Sequence, residues 1–324
     1  LRGYRLPETD LPIPLKCLSH TPLRGKNDPG AEVVAEVNAI TAQARAEVEA
    51  FDPDLIVVFA PDHFNGLFYD LMPPFVLATA ATSIGDFGTL PGPLSIPREL
   101  ANDMARHLLD SDVDIALSHR FQVDHGCTQS LEELTGSLTR YQVIPIIINC
   151  AAPPLVPFRR IRQLGQAVGT FLARLNQRVL ILGTGGLSHE PPIPMLETAS
   201  AHVAEFLIAG RNPSPEARAI REARTVAAGQ AFGTPASQQR PLNPAWDLAF
   251  MQLLKEGRLH DVDSFTNEDV SLQGGRSAHE IRTWVAAFAA LQAACTRYVA
   301  RQDYYRPINE WIAGYGVMSA DGQA

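Results

Sequence analysis

Hydrophobic positions along the chain change period in a regular way, and the change predicts the elements. Between Gly30 and Phe51, Ala, Val and Ile recur at helical spacing with Glu and Arg between them, which predicts an amphipathic helix ended by Pro53. Leu55-Ile56-Val57-Val58-Phe59-Ala60 then runs without a polar residue, as expected of a strand covered on both faces in a parallel sheet. The alternation continues with a helix predicted over 95–109, a strand over 113–117, a helix over 129–138, a strand over 143–149, a helix over 158–175 and a strand over 178–182. This grammar predicts an α/β fold with helices on both faces of the sheet. After Pro194 the period is helical throughout, over 199–208, 214–232, 244–255 and 278–298, and no strand run interrupts it. No Gly/Ser-rich or charged linker separates these C-terminal helices, so they are expected to pack on the same sheet. Residues 1–15 carry prolines and mixed charges without an apolar stretch and are read as an N-terminal extension, leaving 16–324 as a single domain.

Composition narrows the function. The 324 residues are 46% hydrophobic and 19% charged, enough for a sizeable core. A formal net charge of −8 argues against a surface that tracks nucleic-acid phosphates and favours a small-molecule ligand. No apolar run reaches the roughly 18 residues needed to span a bilayer, and Cys17, Cys127, Cys150 and Cys295 lie far apart without a CxxC spacing. The expectation is a cytoplasmic protein with reduced thiols, no nucleic-acid or membrane partner, and assembly as a homo-oligomer.

Four of the nine histidines fall where chemistry collects in such folds. His20 follows the run Pro14 to Leu18, His63 follows the strand ending at Ala60, His125 follows Val123-Asp124, and His189 follows Gly183-Thr184-Gly185-Gly186-Leu187-Ser188. Open α/β sheets bind ligands at the carboxyl ends of their strands, so these loops can share one pocket. Taken singly, each is as readily a hydrogen-bonded structural histidine; His107, His119, His202, His260 and His279 lack that placement and read as structural or solvated. Two imidazoles and a carboxylate suit a zinc or iron site, and the other two suit proton transfer near neutral pH. Periodicity does not select the carboxylate. Asp62 and Asp124 adjoin histidines, where they either orient imidazole rings or cap turns. The glycine-rich turn at 183–186 is neither GxGxxG nor followed by GK[ST], so its glycines read as close backbone approach to a compact site rather than a phosphate cradle.

Cys17-Leu18-Ser19-His20, Ala60-Pro61-Asp62-His63, Val123-Asp124-His125-Gly126, Leu187-Ser188-His189 and His279-Glu280-Ile281-Arg282-Thr283-Trp284 follow one another in this order. With them the chain resembles the class III extradiol dioxygenases of the LigB type from about Lys16 to its C-terminus, including Tyr304-Tyr305-Arg306-Pro307-Ile308 and Glu310-Trp311-Ile312-Ala313-Gly314. Leu1 to Leu15 has no counterpart. The resemblance implies a three-layer α/β/α sheet, Fe(2+) held by His20, His63 and Glu280, and an acid-base pair of His125 and His189 with Asp124 supporting His125. It also implies O2-dependent opening of a catechol carrying a short acidic side chain, such as 3-(2,3-dihydroxyphenyl)propionate. The carboxylate of such a substrate needs a cationic partner, for which Arg276 and Arg306 are candidates if they are not solvated surface charges. The same His/His/Glu set could instead serve a zinc hydrolase.

Overall fold

The computed structural model describes residues 11–235, 237 and 239–323. Residues 1–10, most of the expected N-terminal extension, lie outside the described residues. Strand β1 (Pro14–Leu18) lies in the central sheet, which therefore takes in Pro14 and Leu15 as well. Helix α1 (Ala31–Phe51) buries Val33, Val37, Thr41, Ala44 and Val48, one stripe at three- and four-residue spacing. Asp52 in the left-handed region (φ 49°) and Pro53 close it before β2 (Leu55–Ala60).

Next come β3 (Phe75–Ala78), β4 (Ala81–Ser83), β5 (Gly92–Pro93), α2 (Arg98–Asp110), β6 (Ala116–Ser118) and β7 (Phe121–Val123). Then follow α3 (His125–Thr135), β8 (Gln142–Ile148), α4 (Phe158–Leu172) and β9 (Val179–Thr184). The chain continues as α5 (Ala201–Ala209), α6 (Pro215–Ala231), α7 (Pro244–Lys255), α8 (Asn267–Gly274) and α9 (Ile281–Ala294). It closes with β10 (Arg297–Ile308) and β11 (Ala313–Gln323).

Eight strands form the main sheet in the order β10-β11-β1-β9-β2-β8-β3-β6, with β1, β9, β2 and β8 parallel at its centre. The unbroken apolar runs are explained by the two layers that cover these strands. Ile56, Val58, Val143, Leu180 and Leu182 pack with residues of α1 and α3, while the alternate Leu55, Val57, Phe59, Ile144, Ile146 and Ile181 pack with α2, α4 and α9. The architecture is three-layer α/β/α, as the alternation predicts.

The C-terminus departs from the sequence reading. The helix expected over 278–298 ends at Ala294, and an antiparallel hairpin of β10 and β11 joins the sheet by pairing β11 with β1. Its outer strand mixes charged residues with half-buried tyrosines and contains Pro307, and its inner strand is rich in Gly, Ala and Ser. Neither has the β-branched composition that marks a strand in isolation.

Helices α4 and α9 approach so closely that a Cβ built on Gly165 would lie 2.3 Å from the carbonyl oxygen of Ala286, and one on Gly169 2.1 Å from that of Ala290. Gly169→Ala gains up to ~1 kcal/mol in helix propensity, but the rigid backbone contact outweighs it. Overpacking costs roughly 1–3 kcal/mol, so a lower urea midpoint at unchanged m-value is expected. A midpoint at or above the parent's would show that these helices separate freely.

Candidate active site

Three of the four histidines leave the carboxyl ends of neighbouring strands: His20 after β1, His189 after β9 and His63 after β2, which are adjacent in the order β1-β9-β2. His125 opens α3 just after β7 of the small sheet β5-β4-β7. Glu280 ends a 3-10 turn (Arg276–Glu280) immediately before α9. All five line one cavity of about 610 Å³.

The hydrogen bonds fix which nitrogen each ring turns inward. Thr184 Oγ1 donates to the Gly126 carbonyl (2.8 Å), so its contact with His20 Nδ1 (2.9 Å) has the imidazole as donor. His63 Nδ1 faces the Asp124 carboxylate (3.2 Å), His189 Nδ1 the Leu187 carbonyl (2.9 Å) and His125 Nδ1 the Asp86 carboxylate (2.6 Å). Acceptors of this kind hold the proton on Nδ1 and leave the Nε2 lone pair for the cavity. Three of those Nε2 atoms converge on Glu280: His63 at 3.1 Å, His189 at 3.2 Å and His20 at 3.4 Å.

Lone pairs set against a carboxylate leave a place for a cation between them, a proton or a metal ion. Burial opposes charge on Glu280, yet the His189 and His20 imidazoles hold its carboxyl well below the usual range. His63 is pushed the other way: burial lowers it, but Asp124 and Glu280 raise its pKa well above the ordinary value. Burial dominates at His20, bringing it down to about 3 and keeping it a neutral donor. His20, His63 and His125 also offer ligand atoms within 4.8 Å of one another. A set of imidazole nitrogens and one buried carboxylate suits a divalent transition metal.

Several expected roles fall differently. Asp124 accepts from the backbone N–H of His63 (2.9 Å), from its ring and from the N–H of Gly126 at the start of α3, so it supports His63 rather than His125. The carboxylate at His125 is Asp86, which also accepts the backbone N–H of His125 (2.8 Å). Asp62 caps the turn that follows it, accepting from the N–H groups of Asn65, Gly66 and Leu67. Arg276 lies outside the cavity, about half exposed and paired with Glu190 (2.6 Å). Arg306 is on β10, bound to Glu36 at 2.9 Å, and also outside. The cavity's arginines come instead from α6 and the segment before it, and His202, read as structural or solvated, lies on its wall.

The glycines serve close approach. Gly185 sits at φ +146° where a Cβ would lie 2.9 Å from the Glu280 Cβ, and a Cβ on Gly186 would lie 2.5 Å from the His189 ring. The Gly186 N–H donates to Glu280 (3.0 Å). Below His189, the fully buried Asp247 accepts from the backbone and hydroxyl of Ser188 (both 2.7 Å) and from Tyr305 (2.7 Å), anchoring the loop. Thr184 and Asp86 escape the sequence reading because nothing in their local pattern marks them. Thr184→Val deletes the acceptor that sets the His20 ring, so metal affinity should fall about 10- to 100-fold. Equilibrium metal titration checks this; unaltered affinity would show that Thr184 does not set the ring.

The sequence profile of the catalytic LigB subunit of aromatic ring-opening dioxygenases matches residues 14–317, and the chain belongs to that family. It is 73% identical over 309 residues to a protein of Azotobacter vinelandii named 2,3-dihydroxyphenylpropionate/2,3-dihydroxicinnamic acid 1,2-dioxygenase, covering 95% of this chain and 99% of that one. Proteins of the same name from Xanthobacter autotrophicus (70% over 309 residues, 95% and 99% covered) and Dechloromonas aromatica (69% over 308 residues, 95% and 98% covered; there numbered 1) are similar to it as well. Among the described residues no helix is long and apolar enough to cross a membrane.

Proposed function

We propose that the protein is an extradiol dioxygenase that opens 3-(2,3-dihydroxyphenyl)propionate and 2,3-dihydroxycinnamate beside their paired hydroxyls, with both atoms of O2 entering a 2-hydroxy-6-oxo-nonadienedioate-type product. The observation that carries this reading is the convergence of the His20, His63 and His189 Nε2 atoms on one buried carboxylate, in a chain that is 69–73% identical to relatives bearing that activity in their names.

In this reading His20, His63 and Glu280 hold iron(II). The metal, when bound, supplies a Lewis acid for the catechol oxygens and the redox chemistry that O2 requires. Glu280 is preferred to His125 as third ligand because its negative charge offsets that of the cation in a buried site, where an uncompensated charge is costly. His189, anchored through Nδ1 on Leu187, takes the catechol proton at Nε2. Burial lowers its pKa, but the Glu280 carboxylate outweighs burial and raises it above the ordinary imidazole value. His125, anchored through Nδ1 on Asp86 and packed edge-on to Phe87 at 5.0 Å, turns Nε2 to the cavity and, once protonated there, would pass that proton to an oxygen derived from O2.

The test is anaerobic loading with iron(II), then addition of O2 and 3-(2,3-dihydroxyphenyl)propionate. A yellow ring-opened product with one O2 consumed per turnover is expected. Activity supported by zinc without O2 consumption would reject the reading.

A further inference from the structure

Part of the cavity wall is basic, although the chain carries a net charge of −8. Arg218, Arg221 and Arg224 recur every three residues along α6, placing them on one side of the helix, and all three line the cavity. Among the described residues none of the three has a carboxylate within ion-pair distance. Arg218 gives Nη1 to the Ile84 carbonyl (2.9 Å), while its Nε is buried without a partner. Arg221 gives Nη2 to Asn65 Oδ1 (2.7 Å) and stacks its guanidinium 5.3 Å over the Phe206 ring. These neutral contacts orient the fork and leave its charge uncompensated.

We infer that Arg221, with Arg218 one turn before it, binds the side-chain carboxylate of the substrate and sets the enzyme's preference for acidic catechols. Asn65 fixes the distance scale: it accepts from Arg221 and donates Nδ2 to Asp124 (2.8 Å), which in turn holds His63, so guanidinium and catechol site stand two side chains apart. Burial, with Arg218 beside it, lowers the Arg221 pKa more than Asp124, Asp86 and Asp62 raise it, and those acids are committed to His63, to His125 and to the turn after Asp62. A ligand carboxylate would supply the missing counter-charge, and an uncharged tail would leave the arginines as they are.

This inference rests on the proposed activity, and the experiment separates the two. The parent enzyme is assayed with 3-(2,3-dihydroxyphenyl)propionate and with 3-propylcatechol, whose tail has similar length and no charge. The ratio of their kcat/KM values is then compared in Arg221→Gln and Arg218→Gln. A hydrogen-bonded charge is worth about 1.5–3 kcal/mol, so the ratio should favour the acid by roughly 10- to 100-fold in the parent and collapse toward unity in Arg221→Gln, mainly through the KM of the acid. Arg218→Gln should move it in the same direction and serves as the measurement if Arg221→Gln does not fold. Equal loss on both substrates would overturn the inference, because Arg221 would then act through Asn65 and Asp124 on His63. A parent enzyme indifferent to the carboxylate would overturn it while leaving the proposed reaction intact. Failure of the parent to open either catechol would instead remove the proposed reaction.

Discussion

Replacing His20 or His63 by alanine is expected to abolish both metal retention and turnover. Each contributes one of the three imidazole Nε2 atoms aimed at Glu280, and each is held by its own acceptor, Thr184 behind His20 and Asp124 behind His63. Two remaining protein groups do not hold a labile iron(II) ion against water, so both metal content after gel filtration and O2 uptake should fall to background. Glu280→Gln is expected to join them: it keeps the shape but removes the anion on which His20, His63 and His189 converge. Stoichiometric iron with full activity in either histidine variant would reject the ligand assignment. Tight iron in Glu280→Gln would move the third ligand to His125, which lies within 4.8 Å of His20 and His63.

The sequence makes the central sheet legible because its strands are buried on both faces and so carry unbroken apolar runs. It hides the C-terminal hairpin, where strand character comes from pairing: β11 is held between β1 and β10 despite its Gly- and Ala-rich composition. The same contrast holds at the site. His20, His63 and His189 stand out because position after a strand is a local property, and adjacency of β1, β9 and β2 brings them together. Glu280 precedes a helix like many glutamates, and only the resemblance to a family singles it out. Asp86 is 39 residues from the histidine it touches. Arg218, Arg221 and Arg224 are interleaved with Glu216 and Glu222, and nothing in that pattern marks them; the structure shows Glu222 accepting the Phe87 N–H (3.0 Å) and the arginines lining the cavity. Pairings that depend on tertiary neighbours leave no trace in periodicity.

The largest effect without metal loss is expected at His125 and His189. Each ring is anchored on its Nδ1 side by a group other than the proposed ligands, Asp86 for His125 and the Leu187 carbonyl for His189. Deleting either ring leaves Thr184 behind His20, Asp124 behind His63 and the Gly186 N–H on Glu280, so iron content should stay near one per chain. Turnover should fall about 10²- to 10⁴-fold, the usual weight of a positioned proton transfer. Asp86→Asn should lose part of what His125→Ala loses, because an amide oxygen can still accept from the ring but does so more weakly than a carboxylate. Metal analysis and O2 uptake on the same samples separate the outcomes. Loss of iron in His125→Ala would make it the third ligand and release Glu280 for another role, since His20 and His63 can be completed from either side. Near-normal turnover in His189→Ala would show that Glu280 or solvent takes the catechol proton, and that the 3.2 Å contact between His189 and Glu280 serves to position the carboxylate.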